Sequence, residues 1–338
     1  MKKNILTIIF VILIVFSFAY YFYFHKNNNV KYSGVVDNIN LKLNWVHQSE
    51  YAGNYVALDK GFYKKKGLEV KIIPFDFKSS VVDSVMKGEA SFGIMGADQL
   101  LIAREQGIPV KAIAVIYKTN PAAMYSLKKN NIYKPTDFVG KTIGLEKGSN
   151  TVYLYKAMMN KLKIDRKLVK EVDIGFDGKE ILDGTVDAST SFIINEPNLI
   201  KEKGYDVNTI LMSDYGVNVY SDIIFTTEDL IRTNPQLVER FLSATLDGWQ
   251  YVFENQEEAV NIVLKYAVNS SKTHEMDMLN DSIPLINDGS SSLGWMELNR
   301  WKQTLEVLTD QGIISKKINV KDAFDMQFLS DFYASKKI

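Results

Sequence analysis

Strand patterns alternate with short helical patterns twice along this chain, and this alternation limits the fold more than any other feature. The first series has apolar strand patterns at residues 68–73, 90–95 and 110–117, separated by helical patterns. The second series has strand patterns at residues 141–145 and 171–176. Such alternation is typical of βαβ units, which build a mostly parallel sheet. The sequence therefore predicts an α/β protein with two similar lobes.

The C-terminal third differs, because amphipathic helical patterns dominate from Thr226 onward. These helices are predicted to form a C-terminal extension that packs on the first lobe. Two lobes joined by a hinge leave a cleft between them, where small ligands usually bind. The predicted boundaries are residues 1–26 for a membrane anchor or signal segment, 27–38 for a linker, 39–120 and 222–338 for lobe 1 with the C-terminal helices, and 121–221 for lobe 2.

The N-terminus carries a targeting signal. Lys2 and Lys3 precede an unbroken apolar and aromatic run over residues 5–24, which as a helix is about 30 Å long, the thickness of a bilayer core. Positive charge at the start favours a cytoplasmic N-terminus. We expect a single-pass transmembrane helix in the cell membrane, with the folded part outside the cytoplasm. A cleavable signal peptide with its site near Ser17-Phe18-Ala19 is the alternative.

Composition excludes several classes of function. Lys plus Arg and Asp plus Glu each number 40, so no strongly basic face is implied and nucleic acid is not an expected partner. The chain has no cysteine, which excludes disulfides, thiolate metal sites and a cysteine nucleophile. Its three histidines, His25, His47 and His274, lack metal-ligand spacing. We expect neither a metal nor a cofactor.

Candidate ligand contacts follow the first strand. Trp45 can stack on a flat heteroaromatic ligand, or it can pack on the first helix. Asn44 beside it offers an amide suited to a ring nitrogen or an exocyclic amine. Tyr51 and Asn54 lie in the loop and first helical turn that face the same edge of the sheet.

Two predicted helix starts supply further candidates. Asp98 begins a helix after the third strand, where it acts either as an N-cap or as part of a ligand-binding loop. Ser149 and Asn150 form the same arrangement in the second lobe. The surrounding segment, residues 144–150, lacks the full phosphate-loop pattern, so nucleoside triphosphate binding is not supported.

Two candidates lie later in the chain. Glu196 follows the apolar strand pattern that ends at Ile194, so its carboxylate either accepts from a ligand amine or faces solvent from a loop. Tyr220 lies near the return to the first lobe, where its ring either stacks on the ligand or belongs to the core.

Several segments stand in a characteristic order and spacing: Leu43-Asn44-Trp45-Val46-His47, residues 51–63, Gly67-Leu68-Glu69-Val70, Gly140-Lys141-Thr142-Ile143-Gly144, Asn195-Glu196-Pro197, Asn234-Pro235 and Phe241-Leu242. This order resembles periplasmic substrate-binding proteins of the thiamine-pyrimidine precursor family and the related sulfonate and taurine binders. This resemblance implies a type II periplasmic binding fold that closes on a small heteroaromatic ligand. It also implies a partner, either an ABC-type permease for import or a sensor kinase.

The same fold family contains thiamine pyrimidine synthase, which would make this chain an enzyme. The resemblance implies that such an enzyme holds pyridoxal phosphate on a lysine, consumes a histidine and carries a cysteine cluster. Here Met95 stands at the lysine position, Gln99 at the histidine position, and residues 217–221 contain no sulfur. A thioether cannot form a Schiff base and a carboxamide has no imidazole ring. The sequence therefore favours a binding protein over the enzyme.

Overall fold

The structure is a computed structural model that describes residues 34–315 and 318–336. Its strands form two five-stranded sheets, one in each lobe. The sheet of lobe 1 contains β1 Asp37–Lys42, β2 Leu68–Ile73, β3 Phe92–Met95, β4 Val110–Tyr117 and β10 Ser221–Thr227. The sheet of lobe 2 contains β5 Ala122–Leu127, β6 Thr142–Glu146, β7 Lys170–Ile174, β8 Ala188–Phe192 and β9 Val207–Leu211.

Both sheets have the same pattern of pairing. The strand orders are β2-β1-β3-β10-β4 and β7-β6-β8-β5-β9. In each sheet one strand, β10 or β5, is antiparallel to both of its neighbours. Each lobe therefore carries a mixed sheet in which the other four strands share one direction. The sequence patterns did not predict β5 or β10, the antiparallel strands that follow the two chain crossings.

The chain crosses between the sheets twice, at residues 118–121 and 212–220. These two crossings are the only covalent connections between the sheets within the described residues. Side chains from the sheet of lobe 1 and the C-terminal helices form one continuous core, whereas lobe 2 has its own smaller cores. The molecule is therefore built so that its lobes can move relative to one another about two short segments.

Thirteen helices cover the sheets of the described chain. Lobe 1 contains α1 Ala52–Asp59, α2 Phe62–Lys65, α3 Val81–Met86 and α4 Ala97–Glu105, and lobe 2 contains α5 Thr151–Lys161, α6 Lys179–Leu182 and α7 Glu196–Glu202. The C-terminal helices are α8 Glu228–Thr233, α9 Pro235–Glu254, α10 Gln256–Val263, α11 Lys272–Ile286, α12 Leu298–Asp310 and α13 Gln327–Ser335. They pack mainly on lobe 1, because their apolar faces belong to its core.

The predicted membrane anchor, residues 1–26, lies outside the described residues, and so does most of the predicted linker. Strand β1 begins at Asp37, inside the range predicted for that linker. Within residues 34–315 and 318–336, no helix combines the length and the apolar character needed to cross a bilayer.

Two glycines allow α1 and α9 to pack closely. A Cβ on Gly53 would lie 2.3 Å from ring atoms of Trp249. A Cβ on Gly248 would lie 2.1 Å from the carbonyl oxygen of Gly53. Both distances are far below van der Waals contact, so only glycine fits at this crossing. The packing holds α1, and with it the loop after β1, against the C-terminal helices.

Substituting Gly53 by alanine should therefore destabilise the protein. The added methyl group overpacks the contact with Trp249, and we expect the free energy of unfolding to fall by about 2 kcal/mol. Gly175→Ala is the matched control, because no atom lies within 4 Å of a Cβ built there. Thermal unfolding of both variants measures the difference, and equal melting temperatures would contradict this packing.

Candidate ligand-binding site

The carboxyl ends of the parallel strands in the two lobes face each other, and aromatic rings meet across the gap. Trp45 follows β1 and its ring lies 5.2 Å from that of Phe176, which follows β7. The ring of Phe77, also in lobe 1, lies 5.3 Å from that of Trp45. Trp45 and Phe176 are half-buried. A flat ring that enters between the lobes would therefore meet an indole and a phenyl ring from opposite sides.

The first turns of α4 and α5 form a second contact between the lobes. The carboxyl group of Asp98 folds back over Gly96, where a Cβ would lie 2.0 Å from Asp98 Oδ1 and 3.5 Å from Asn150 Nδ2. Burial raises the pKa of Asp98 to about 6, although nearby backbone N–H groups and the Asn150 amide favour the ionised form. Asp98 and Asn150, predicted separately from sequence, thus lie together at the interface between the lobes.

A buried polar network lies behind Trp45. Tyr51 Oη donates to Asn44 Oδ1 at 2.9 Å, and Asn44 Nδ2 donates to Asp222 Oδ1 at 3.2 Å. Glu50 lies beside Asp222 and accepts a hydrogen bond from Gln48. Burial, followed by the neighbouring Asp222, raises the pKa of Glu50 well above its usual value. Burial also raises the pKa of Asp222 to about 6.

Lobe 2 contributes a similar pair of acids, Glu146 and Glu196. Glu146 is the last residue of β6, and its Oε2 accepts from Thr151 Oγ1 at 3.2 Å. Glu196 is the first residue of α7, and its oxygens accept from Asn195 Nδ2 at 2.6 Å and Phe192 N at 2.9 Å. Burial and the neighbouring Glu196 raise the pKa of Glu146 to about 9. Burial raises the pKa of Glu196 to about 7.

Helix α11 holds the two acidic pairs close together. Its residue Glu275 accepts from the backbone N–H of Ser49 at 2.6 Å and so fixes the turn that carries Glu50. Its residue Asp281 accepts from Asn198 of α7 at 2.8 Å. His274 Nε2 lies 3.2 Å from Asn195 Oδ1, beside Glu196. One helix therefore contacts both acid-bearing segments, and Glu50 further raises the pKa of Glu196 across the lobes.

The structure places the other predicted residues in different roles. Asn54 is buried within α1 and donates to Tyr63 Oη at 3.3 Å, on the side that packs on α9. Tyr220 is buried, with its hydroxyl accepting from Glu297 N at 3.0 Å and its ring edge-on to Trp301. Tyr220 therefore belongs to the core, which was one of its two predicted roles. Asn54 lies in helix packing and not at the facing strand ends.

The structure gives Ser149 and Glu196 specific hydrogen-bond partners that the sequence did not predict. Ser149 Oγ accepts from Thr151 N at 3.2 Å and from Thr151 Oγ1 at 2.8 Å, which places it beside Glu146. Glu196 is buried in the first turn of a helix. The alternative in which it faces solvent from a loop is therefore wrong, because α7 begins directly at the strand end and turns the side chain inward.

Sequence reasoning missed Glu50, Asp222 and Glu146. Acidic side chains that follow apolar stretches are usually on the surface, so their type alone gave no signal. Asp222 offered the best clue, because it stands beside the apolar run Ile223-Ile224-Phe225 of a buried strand. Only the pairing of β10 between β3 and β4 places that aspartate next to Glu50.

Two cavities lie away from this edge. One cavity of about 190 Å³ lies between α5 and α12 and is lined by residues such as Lys161, Gln303 and Asp310. An open hollow of about 460 Å³ lies near Lys128 and Tyr205 of lobe 2. At the facing strand ends the lobes already touch, so a ligand enters there only when they separate. Within the described residues, no three His, Cys, Asp or Glu side chains are placed to hold a metal ion.

Solved structures share this architecture. The periplasmic aliphatic sulphonate binding protein SsuA of Escherichia coli matches with a TM-score of 0.69 at 12% identity, covering 85% of this chain and 97% of that one. Two α/β lobes with mixed sheets and helices thus define the fold of periplasmic binding proteins. The NMT1/THI5-like family matches residues 48–259. The chain belongs to this family, which confirms the resemblance seen in the sequence.

Curated relatives are similar over nearly the whole chain. The riboflavin-binding protein RibY of Chloroflexus aurantiacus is 26% identical over 302 residues, covering 86% of each chain. The formylaminopyrimidine-binding protein of Halalkalibacterium halodurans is 21% identical over 306 residues, covering 88% of this chain and 93% of its own. A 4-amino-5-hydroxymethyl-2-methylpyrimidine phosphate synthase of Legionella pneumophila is 23% identical. Binding proteins and a synthase therefore both occur among its relatives.

The buried acids should make the ligand-free protein less stable as the pH rises. Glu146 has a pKa near 4.5 when unfolded and about 9 when folded, so the folded chain retains a proton that the unfolded chain releases. Between those pH values the free energy of unfolding falls by up to about 1.4 kcal/mol per pH unit for each such proton. We expect the melting temperature to decrease from pH 5 to pH 9.

Glu146→Gln should flatten this pH dependence, because an amide carries no titrating proton. Glu258→Gln is the control, since this exposed carboxyl has a lowered pKa beside Lys60 and is ionised throughout the range. An equal slope in wild type and E146Q would show that Glu146 is not buried as described.

Proposed function

We propose that this chain is an extracytoplasmic solute-binding protein whose lobes close on a small heteroaromatic ligand. The observation that carries the proposal is the meeting of Trp45 and Phe176 across the lobes, with their rings 5.2 Å apart. Aromatic side chains bind flat rings by stacking and by burying a large apolar area. Amide and carboxyl groups beside them supply the polar contacts that fix orientation.

The ligand class follows from the same groups. Asn44 directly precedes Trp45, and Asp98, Asn150 and Glu196 supply further amide and carboxyl groups where the lobes meet. These groups suit ring nitrogens and exocyclic amines, which pyrimidine and flavin rings carry. The names of two relatives, a riboflavin binder and a formylaminopyrimidine binder, support this chemistry. A thiamine-pyrimidine precursor or a related heterocycle is therefore the proposed ligand.

A binding role is preferred to synthesis of the thiamine pyrimidine. Met95 is buried at the end of β3, and Gln99 Oε1 accepts from Gly96 N at 3.4 Å within α4. Neither side chain offers the amine or imidazole that the synthase chemistry requires. Incubating the purified chain with pyridoxal phosphate tests this point, because an imine absorbance band would favour the enzyme.

We also propose that residues 1–26 remain as a membrane anchor and hold the binding lobes outside the cytoplasm. The support is the length of the apolar run after Lys2 and Lys3, which continues past the candidate cleavage site. An anchored binder near the membrane surface suits delivery to an ABC-type permease, or signalling to a sensor kinase in the same membrane.

Ligand binding should be visible as thermal stabilisation of the full-length chain in detergent. A compound present at a hundred times its dissociation constant stabilises the folded state by roughly 2.7 kcal/mol. We expect shifts with pyrimidines or flavins and none with alkanesulfonates, measured by differential scanning fluorimetry. The absence of a shift across the heteroaromatic panel would refute the proposal.

Replacing Trp45 by alanine should weaken binding of any compound that shifts the melting temperature. Loss of a stacking indole costs about 2 kcal/mol, or roughly 30-fold in dissociation constant, and Trp45→Phe should restore most of it. Tyr133→Ala is the control, because Tyr133 is exposed on lobe 2 outside the facing strand ends. Titration calorimetry of the three variants and the wild type gives their affinities. Equal affinities would show that Trp45 does not contact the ligand.

Fractionation of a bacterial host that expresses the chain tests where it is located. We expect the full-length chain to sediment with membranes, to resist extraction with alkaline carbonate and to be digested by protease added outside the cytoplasm. Removal of residues 1–26 should leave it in the cytosol. If the mass of the mature protein shows that the N-terminal segment has been removed, the segment is a cleaved signal peptide and not an anchor.

A further inference from the structure

Glu50 and Asp222 form an acidic pair that the protein leaves incompletely satisfied. Their side chains are 2% and 1% exposed, so water does not solvate them. One oxygen of each accepts from an amide, Asp222 Oδ1 from Asn44 and Glu50 Oε2 from Gln48. Glu50 Oε1 and Asp222 Oδ2 receive no hydrogen bond from any described donor. Buried acceptors without donors are costly, so these two atoms require one.

The protein offers no positive charge to this pair. Within the described residues, no lysine or arginine makes a hydrogen bond or an ion pair to Glu50 or Asp222. The titratable groups that face the pair from the neighbouring elements are carboxyl groups and tyrosine hydroxyl groups, and none of them carries a positive charge. They are Tyr51, Tyr55, Tyr117, Glu196 and Glu275. Without a ligand, a proton shared between the two carboxyl groups lowers their mutual repulsion, and the Tyr51 and Ser221 hydroxyl groups also stabilise the ionised forms of Glu50 and Asp222.

Lobe 2 adds further acidic groups and no positive charge near the pair. Glu196 is close enough for Glu50 to raise its pKa, and Glu146 lies beside Glu196. Closing the lobes therefore brings two acidic pairs together in a buried space, where like charges repel strongly. A group that donates hydrogen bonds and carries positive charge would relieve this repulsion in the closed state.

We propose that Glu50 and Asp222 bind a cationic nitrogen of the ligand, so the ligand is a heteroaromatic compound that carries a protonated amine or amidine-like group. This inference rests on the proposed function and narrows its ligand class. The N–H groups donate to Glu50 Oε1 and Asp222 Oδ2, and the shared proton leaves to solvent. One positive charge thus replaces another, and the net charge of the site is unchanged.

The same pair accounts for discrimination against anions. A sulfonate presents only acceptor oxygens and negative charge, which these carboxyl groups can neither donate to nor neutralise. The chain shares its fold with a sulphonate binder, so fold alone does not set this preference. The acids on the facing strand ends set it.

Three related compounds test the proposal on the full-length chain in detergent. Each is a 4-amino-2-methylpyrimidine that carries at ring position 5 an aminomethyl, a hydroxymethyl or a carboxylate group, which are cationic, neutral and anionic at pH 7. We expect the cation to bind roughly 10- to 100-fold more tightly than the neutral compound, with the anion weakest. Equal binding, or tighter binding of the neutral or anionic compound, would overturn the proposal.

Proton release provides a second readout on the wild-type protein. Titration calorimetry in buffers with different ionisation enthalpies should show release of about one proton for each cation bound at pH 7, and none for the neutral compound. Binding of the cation without proton release would contradict a shared proton that leaves the pair. This measurement needs no variant and is independent of any effect of mutation on folding.

Glu50→Gln separates charge from shape. The amide preserves size but removes one negative charge, so the preference for the cation over the neutral compound should fall to within a few-fold. Affinity for the neutral compound should fall by a much smaller factor than affinity for the cation, and a merely structural role of Glu50 would not predict this change in preference. Asp222→Asn should have the same effect, and the exposed Glu258→Gln should keep the wild-type preference. A preference retained in both E50Q and D222N would refute the assignment.

The outcomes also separate this inference from the proposed function. If riboflavin or a neutral pyrimidine stabilises the chain but none of the cationic probes does, the binding function stands and the cationic subsite is wrong. If no heteroaromatic compound binds, both are wrong.

Discussion

The burial of carboxyl groups without basic partners is the constraint on which the site depends. Glu50 and Asp222 in lobe 1, and Glu146 and Glu196 in lobe 2, are removed from water where the lobes meet. Burial of ionised acids is costly, so each pair retains a proton near neutral pH. A stable protein gains nothing from such an arrangement by itself. The proposed cationic ligand would offset this cost in lobe 1 by donating to Glu50 Oε1 and Asp222 Oδ2, which connects the energetics of closure to ligand binding.

Rigid packing elsewhere makes this arrangement possible. The contact of Gly53 with Trp249 fixes α1 on α9 and so positions the turn that carries Glu50. Helix α11 then joins that turn to α7 of the other lobe through Glu275 and Asp281. The two lobes nevertheless have separate cores and only two chain crossings. Firm lobes with a narrow connection allow movement to be concentrated between them, which is the motion that ligand capture requires.

Family membership and ligand chemistry are decided by different parts of the molecule. The fold is shared with the sulphonate binder SsuA of Escherichia coli at 12% identity, so the fold alone does not determine which ligand is bound. Met95 and Gln99 likewise occupy positions where the synthase resemblance implies a lysine and a histidine. Side chains at a few positions therefore direct one architecture toward different ligands.

The sequence by itself determined the two-lobed α/β architecture, because alternating strand and helix patterns depend on local burial and repeat along the chain. It also placed Asn44 and Trp45 just after a strand, and Asp98 and Asn150 at helix starts that follow strands, since residues that follow parallel strands share one edge. Tertiary structure alone decided which of these meet. Asn54 turned into the helix packing and Tyr220 into the core, and Glu50, Asp222, Glu146 and Glu196 became neighbours only through folding. Glu50 and Asp222 are far apart in sequence, and their proximity follows from the pairing of β10 within the sheet of lobe 1, which no local pattern encodes.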